Sequence, residues 1–159
     1  MESCLEKIKK DYEKLKIKYK LPSFNELNEE FEIEKLQERE TDFLLRQVRR
    51  AMIEKTAVVL RFLEILVNPS EAQAQIYIFS IMKSVSPEMK KVIEKVYKEL
   101  TIIELGSLTL DIDYDEKNEV SFIKDMSVKW PLIKKDLKYI TQKLVVVWTH
   151  EKNHDNYFG

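Results

Sequence analysis

The sequence predicts an all-α fold. It reads as one domain over residues 1–159, a bundle of five to seven helices with a long central helix at about 41–67. Three observations carry this. Apolar residues recur every three or four positions through most of the chain, which is the period of one helix face. The four prolines stand where a helix would start or bend. The single stretch with strand-like alternation has no second strand to pair with elsewhere in the chain.

The elements follow in order. Leu5, Ile8, Tyr12, Leu15 and Tyr19 step by three and four, so they share one stripe of a lysine-rich helix. Such a stripe packs either on its own domain or on a partner helix, so residues 1–20 are peripheral to the core or partner-binding. Pro22 precedes Ser23, and Ser23 with Glu26 has the spacing of a capping box. A short helix is expected to hold Phe24, Leu27 and Phe31.

Thr41 to Val67 is the longest uninterrupted helix. It is amphipathic first, through Leu44, Leu45, Val48 and Met52, and then apolar on most sides, through Ala57–Leu60 and Phe62–Leu66. A helix apolar nearly all round belongs at the centre of a bundle. Asn68-Pro69 stops it. Ser70 with Gln73 makes a second capping box ahead of a helix over 72–85. Ser86, Pro87 and Glu88 then read as an N-cap, a first-turn proline and an acid at the positive end of the dipole. The helix they open buries Val92, Ile93, Val96, Leu100 and Ile103.

Residues 107–114 fit two periods. Leu108, Leu110, Ile112 and Tyr114 alternate as in a strand, while Leu105, Leu108 and Ile112 fit a helix. Lacking a partner strand, the stretch is expected to continue the helix past Gly106 to about Asp113. A charged turn follows, with Asn118 capping a helix from Glu119 to Thr149. Pro131 either opens that last helix or kinks a longer one.

Composition bounds the chemistry. With 44% hydrophobic and 35% charged residues over 159 positions, the chain can bury a core. Two glycines cannot build a phosphate-cradling loop or a Gly-x-Ser-x-Gly nucleophile elbow. One cysteine, Cys4, allows neither an intrachain disulfide nor a thiolate-rich zinc site. Neither a secretory signal nor a membrane span is legible, so a soluble, cytoplasmic protein is expected. The net charge of -1 hides segregation. Residues 1–20 carry seven lysines against four acids, 21–40 seven acids against two bases, 101–120 six acids against one lysine, and 121–159 seven lysines against four acids.

Four candidate sites emerge. His150-Glu151-Lys152-Asn153-His154 has the H-E-x-x-H spacing, which sets two imidazoles on one helix face for zinc, with the glutamate as base. Charged Lys152 in the middle, the short stretch after His154 and a fraying helix end argue against catalysis and for surface histidines. Asp111, Asp113 and Asp115 form an acidic turn, but Glu116 and Phe122 stand where a calcium loop needs glycine and a bidentate glutamate. The five arginines fall within 39–61, and Arg46, Arg49 and Arg50 are candidate anion ligands. Against that, Asp42, Arg46, Arg50 and Glu54 step by four and can pair along the helix, and the acidic neighbourhood argues against nucleic acid. Trp130 beside Pro131, and Tyr157-Phe158, are candidate exposed anchors for a partner.

No catalytic set is legible, and no cofactor beyond the zinc of the first site is implied. The expectation is a non-enzymatic helical interaction or assembly module, binding a protein partner or itself through Leu5, Ile8, Tyr12, Leu15, Tyr19 and Trp130. The alternative is a metal-binding protein or metal-dependent hydrolase using His150, Glu151 and His154.

Overall fold

Residues 4–38, 43–68 and 76–154 are described in a computed structural model of the chain. Among them run α1 (Cys4–Tyr19), α2 (Phe24–Phe31), a 3-10 turn (Ile33–Glu38), α3 (Leu44–Val67), α4 (Ile76–Ser84), α5 (Pro87–Ile112) and α6 (Glu116–His154), with no strand. The fold is the all-α bundle expected, with six helices. The chain divides into two compact units. The first is Met1–Ala57 with Ile103–Trp130, and the second is Val58–Ile102 with Pro131–Gly159.

In the first unit the α1 stripe packs inward. Ile8 and Tyr12 are buried, and Leu5, Leu15 and Tyr19 are half-buried. The Tyr12 ring meets Phe24 edge-on at 5.8 Å, and its hydroxyl donates to the Pro22 carbonyl at 2.9 Å. The seam that the sequence offered to a partner is therefore taken up largely by its own chain. Burial removes water from the Tyr12 phenol and pushes its pKa well up, so it stays a donor.

Helix α1 ends where Lys20 turns left-handed, at φ 54°, and the Leu21 amide donates back to the Lys16 carbonyl at 3.2 Å. Ser23 then caps α2 with the reciprocal bonds of a capping box. The Glu26 amide donates to Ser23 Oγ at 3.2 Å, and the Ser23 amide donates to Glu26 Oε2 at 2.7 Å. Glu32, also left-handed, closes α2. Asn28 stitches the next turn, accepting from the Glu34 amide and donating to its carboxylate.

Trp130 is buried at 4% exposure, its ring 5.6 Å from Phe31 and its Nε1 donating to Glu30 at 2.9 Å. It is a core residue and not the exposed anchor the sequence suggested. The companion pair Tyr157-Phe158 lies outside the described residues.

Helix α3 is the long helix expected, starting at Leu44. Its burial differs from the expectation. Leu45, Val48 and Met52 in the first half are buried, but Val58 is 68% exposed and Phe62 and Val67 are also exposed. In the second half Leu63 and Leu66 are buried. An apolar surface on every side had implied a central position, but only one side of this half is covered.

In the second unit, α4 lies within the helix expected over 72–85, and the Ser70–Gln73 box lies outside the described residues. Ser86 caps α5 as expected, its hydroxyl accepting from the Met89 amide at 3.2 Å. Ile93, Val96 and Leu100 of α5 pack inward, as do Ile133 and Ile140 of α6. Beyond Ile140, no residue through His150 is buried.

Helix α5 continues past Gly106 to Ile112, so the strand alternative for 107–114 falls. The reason is spacing: Ile103, Ser107 and Leu110 are buried on one helical face. Gly106 costs little there, since a Cβ would meet nothing within 4 Å. The charged turn is shorter than expected. Asp115, not Asn118, caps α6, with its Oδ1 accepting from the Asn118 amide at 2.8 Å. Pro131 lies inside α6, so the longer-helix alternative holds.

Lys20 holds a conformation that costs a Cβ-bearing residue about 1 kcal/mol and glycine almost nothing. Lys20→Gly should therefore raise unfolding free energy by about 1 kcal/mol in urea titration. An unchanged midpoint would show that the left-handed turn carries no strain.

Candidate functional site

Arg49 is, with Glu119, one of two fully buried charged residues described in the first unit. It stands on α3 in phase with Leu45 and Met52, so the helix carries it into the core. Its guanidinium is fully buried and shares Glu119, the buried carboxylate in the first turn of α6. Nε donates to Glu119 Oε2 at 2.7 Å and Nη2 to Oε1 at 3.2 Å, the bidentate fork. Helix α5 supplies the rest. Nη1 donates to the Ser107 carbonyl at 3.1 Å and to the Ser107 hydroxyl, and Nη2 to Asp111 at 2.7 Å.

Burial by itself would lower the Arg49 pKa, but the bonds to Glu119 and Asp111 outweigh it and raise it. The Arg49 hydrogen bond, with help from Arg50, holds the Asp111 carboxyl below the usual carboxylate range, although partial burial opposes this.

The two neighbouring arginines are engaged in the same place. Arg50 donates to Asp111 at 3.1 Å. Arg46 sits 3.8 Å from Glu119, with its guanidinium carbon 4.7 Å from the Tyr114 ring centroid. Its Nη2 reaches the Leu110 carbonyl at 3.5 Å, while its buried Nε has no hydrogen-bond partner. The sequence offers the arginines Asp42 and Glu54 on their own side of the helix. The described contacts run to α5 and α6, and Asp42 lies outside the described residues. An anion binding at Arg49 would have to displace Glu119 or Asp111.

The acidic turn is consumed in the same way. Asp111 holds arginines and Asp115 caps α6, leaving Asp113 exposed. Among the described residues no three His, Cys, Asp or Glu side chains gather as a metal ion would need. His150 is exposed near the end of α6, and the side chains of Glu151 and His154 lie outside the described residues.

The second unit has a shallow cavity of about 210 Å³ lined by Leu66, Val67, Met82, Lys90, Ile93 and Glu94. Its floor is apolar. Lys90 and Glu94 are exposed and one helical turn apart, and no nucleophile–base pair is present among the lining residues.

What the arrangement does offer is apolar surface on helix faces turned to solvent. In the first unit Leu105, Leu108, Thr109 and Ile112 occupy positions i, i+3, i+4 and i+7 of α5, all exposed, with Ile112 at 80%. No base lies between Lys98 and Lys117, and Glu104 and Asp113 flank the face. In the second unit Leu132, Lys135, Tyr139, Gln142 and Val146 of α6 recur at three and four, again all exposed. Lys138 and Lys143 flank them, and the Lys143 ammonium lies 5.9 Å from the Tyr139 ring centroid.

Sequence reasoning did not single out these two faces. Both helices are two-striped, and the stripe in phase with the core masks the other. The signal was present in Leu105, Leu108 and Ile112, which lie on the opposite side of α5 from Ser107.

Compared with protein-family models, with curated proteins and with solved structures, the chain matches none. Among the described residues no helix is long and apolar enough to cross a membrane.

Two outcomes test the buried network. Arg49→Leu strands Glu119 without its partner and should cost about 3–5 kcal/mol, whereas Arg49→Leu with Glu119→Leu should recover most of that loss in urea titration. A double variant as unstable as the single one would show that the pair is not the source. Asp111 has a folded pKa below its unfolded value of about 3.9, so its contribution is full above that value and lost as pH falls through the folded one. Stability of Asp111→Asn should accordingly fall less than wild type between about pH 5 and pH 2. Parallel acid profiles would assign the acid loss to other carboxylates.

Proposed function

We propose that this protein is a non-enzymatic helical interaction or assembly module that works in the cytoplasm by docking a protein on its exposed apolar helix faces. One observation supports this reading above others. Leu105, Leu108 and Ile112 stand in solvent on one face of α5, with exposures of 55–80%. Scattered exposed leucines need no explanation, but an uncharged face over two turns removes a large apolar area from water only when something covers it. The cytoplasmic setting rests on the single exposed Cys4 within these 159 residues. Several charged groups are spent on structure: Arg49 and Glu119 on each other, Asp111 on two arginines, Asp115 on a helix cap.

A photo-crosslinking amino acid in place of Leu108, expressed in the native source, should capture a protein. The same probe in place of Lys7, an exposed residue of α1, should not. Adding Leu105→Glu should cut the Leu108 adduct at least about tenfold, since a charge in the centre of an interface costs more than about 1.4 kcal/mol. Equal adducts from both positions would overturn the reading.

A further inference from the structure

The two exposed faces differ in charge, and the difference is complementary. The α5 face is flanked by Glu104 and Asp113 and ends at the carbonyl end of its helix, which adds partial negative charge. The α6 face carries Lys135 within it and Lys138 and Lys143 beside it. Its nearby acid, Asp136, is occupied by Lys95 at 2.8 Å. Both faces repeat at the spacing that lets side chains of one helix fill gaps on another. A helix rises about 1.5 Å per residue, so Leu105–Ile112 spans roughly 12 Å and Leu132–Val146 roughly 22 Å, and the shorter face fits within the longer.

Pairing like with like fails on charge. Two α5 faces would bring Glu104 and Asp113 against their own copies, and two α6 faces would bring lysines against lysines. Pairing unlike faces sets leucine and isoleucine of one against leucine, tyrosine and valine of the other, with acids opposite lysines.

We propose that the acidic α5 face of one copy docks on the basic α6 face of a second copy, so that the chain associates head to tail. This rests on the interaction-module reading and names its partner. A contact between two different faces leaves one copy with an unused α6 face and the other with an unused α5 face, so association continues into a ring or an open chain. Faces of this length lie at the small end of specific interfaces, so assembly is weak and concentration-dependent. It is also weakened by salt, because the flanking charges are exposed.

The test uses the full chain and two paired variants, Leu105→Lys with Ile112→Lys and Leu132→Glu with Val146→Glu. In analytical ultracentrifugation, wild type should form species above the monomer by about 100 µM at about 50 mM salt and lose them at about 500 mM. Each variant alone should be at least about tenfold weaker. A one-to-one mixture retains one intact face of each kind and should stop at a dimer. A monomeric wild type, a mixture that stays monomeric, or variants that assemble like wild type would overturn the proposal.

A cysteine pair covers the case of a variant that does not fold. In a Cys4→Ser background, mixed Leu108→Cys and Tyr139→Cys proteins should form a disulfide dimer several-fold faster than either alone. Equal rates would also overturn it. Capture of a different protein from position 108 by a monomeric wild type would remove the second copy as partner and leave the interaction module standing. No capture at all would remove both.

Discussion

Three helices of the first unit meet on one guanidinium. Arg49 comes from the second turn of the long third helix, Glu119 from the first turn of the last, and Ser107 and Asp111 from the fifth. Two charges without water are costly, and their attraction offsets that only when the remaining donors and acceptors are also filled. Here the backbone carbonyl and hydroxyl of Ser107 and one oxygen of Asp111 complete the Arg49 fork. A rotation of any one helix by a residue would carry its group about 100° away. The network therefore sets the phase in which these three helices pack, a constraint that apolar side chains, being non-directional, do not impose.

That constraint determines where function is to be sought. Of the features the sequence marks as chemistry, Arg46, Arg49 and Arg50 and the aspartates Asp111 and Asp115 belong to this one node or to the cap beside it. Their charges face each other. Electrostatic surface then remains in the segregated flanks, acids around the end of the fifth helix and lysines along the last. Apolar surface remains in the second stripe of each of those helices.

The stripe on the first helix illustrates how an interface and a core differ only in occupancy. Leu5 to Tyr19 has the spacing of a partner seam. Yet Tyr12 has a ring to meet in Phe24 and a carbonyl to meet at Pro22, and Tyr19 with Lys18 binds Glu116. Leu105 to Ile112 has the same spacing, and those side chains stand in solvent. Periodicity reports that a helix has an apolar side. It does not report whether the rest of the chain reaches that side.

The sequence by itself determined what is local. Helical period, the Ser23 and Ser86 caps and the absence of a second strand are relations within a turn or two, where propensity, capping and sterics act directly. They were enough for the class, for most helices, and for the Ile93, Val96 and Leu100 face. Tertiary structure decided everything that depends on a distant neighbour. Trp130 became core because Phe31 and Glu30 are there to receive it. Asp115 displaced Asn118 as the cap by standing one turn earlier, and the arginines reach Glu119 and Asp111 on other helices. Burial and ion pairing are properties of approach between segments some sixty to a hundred residues apart, and a one-dimensional pattern carries no measure of that approach.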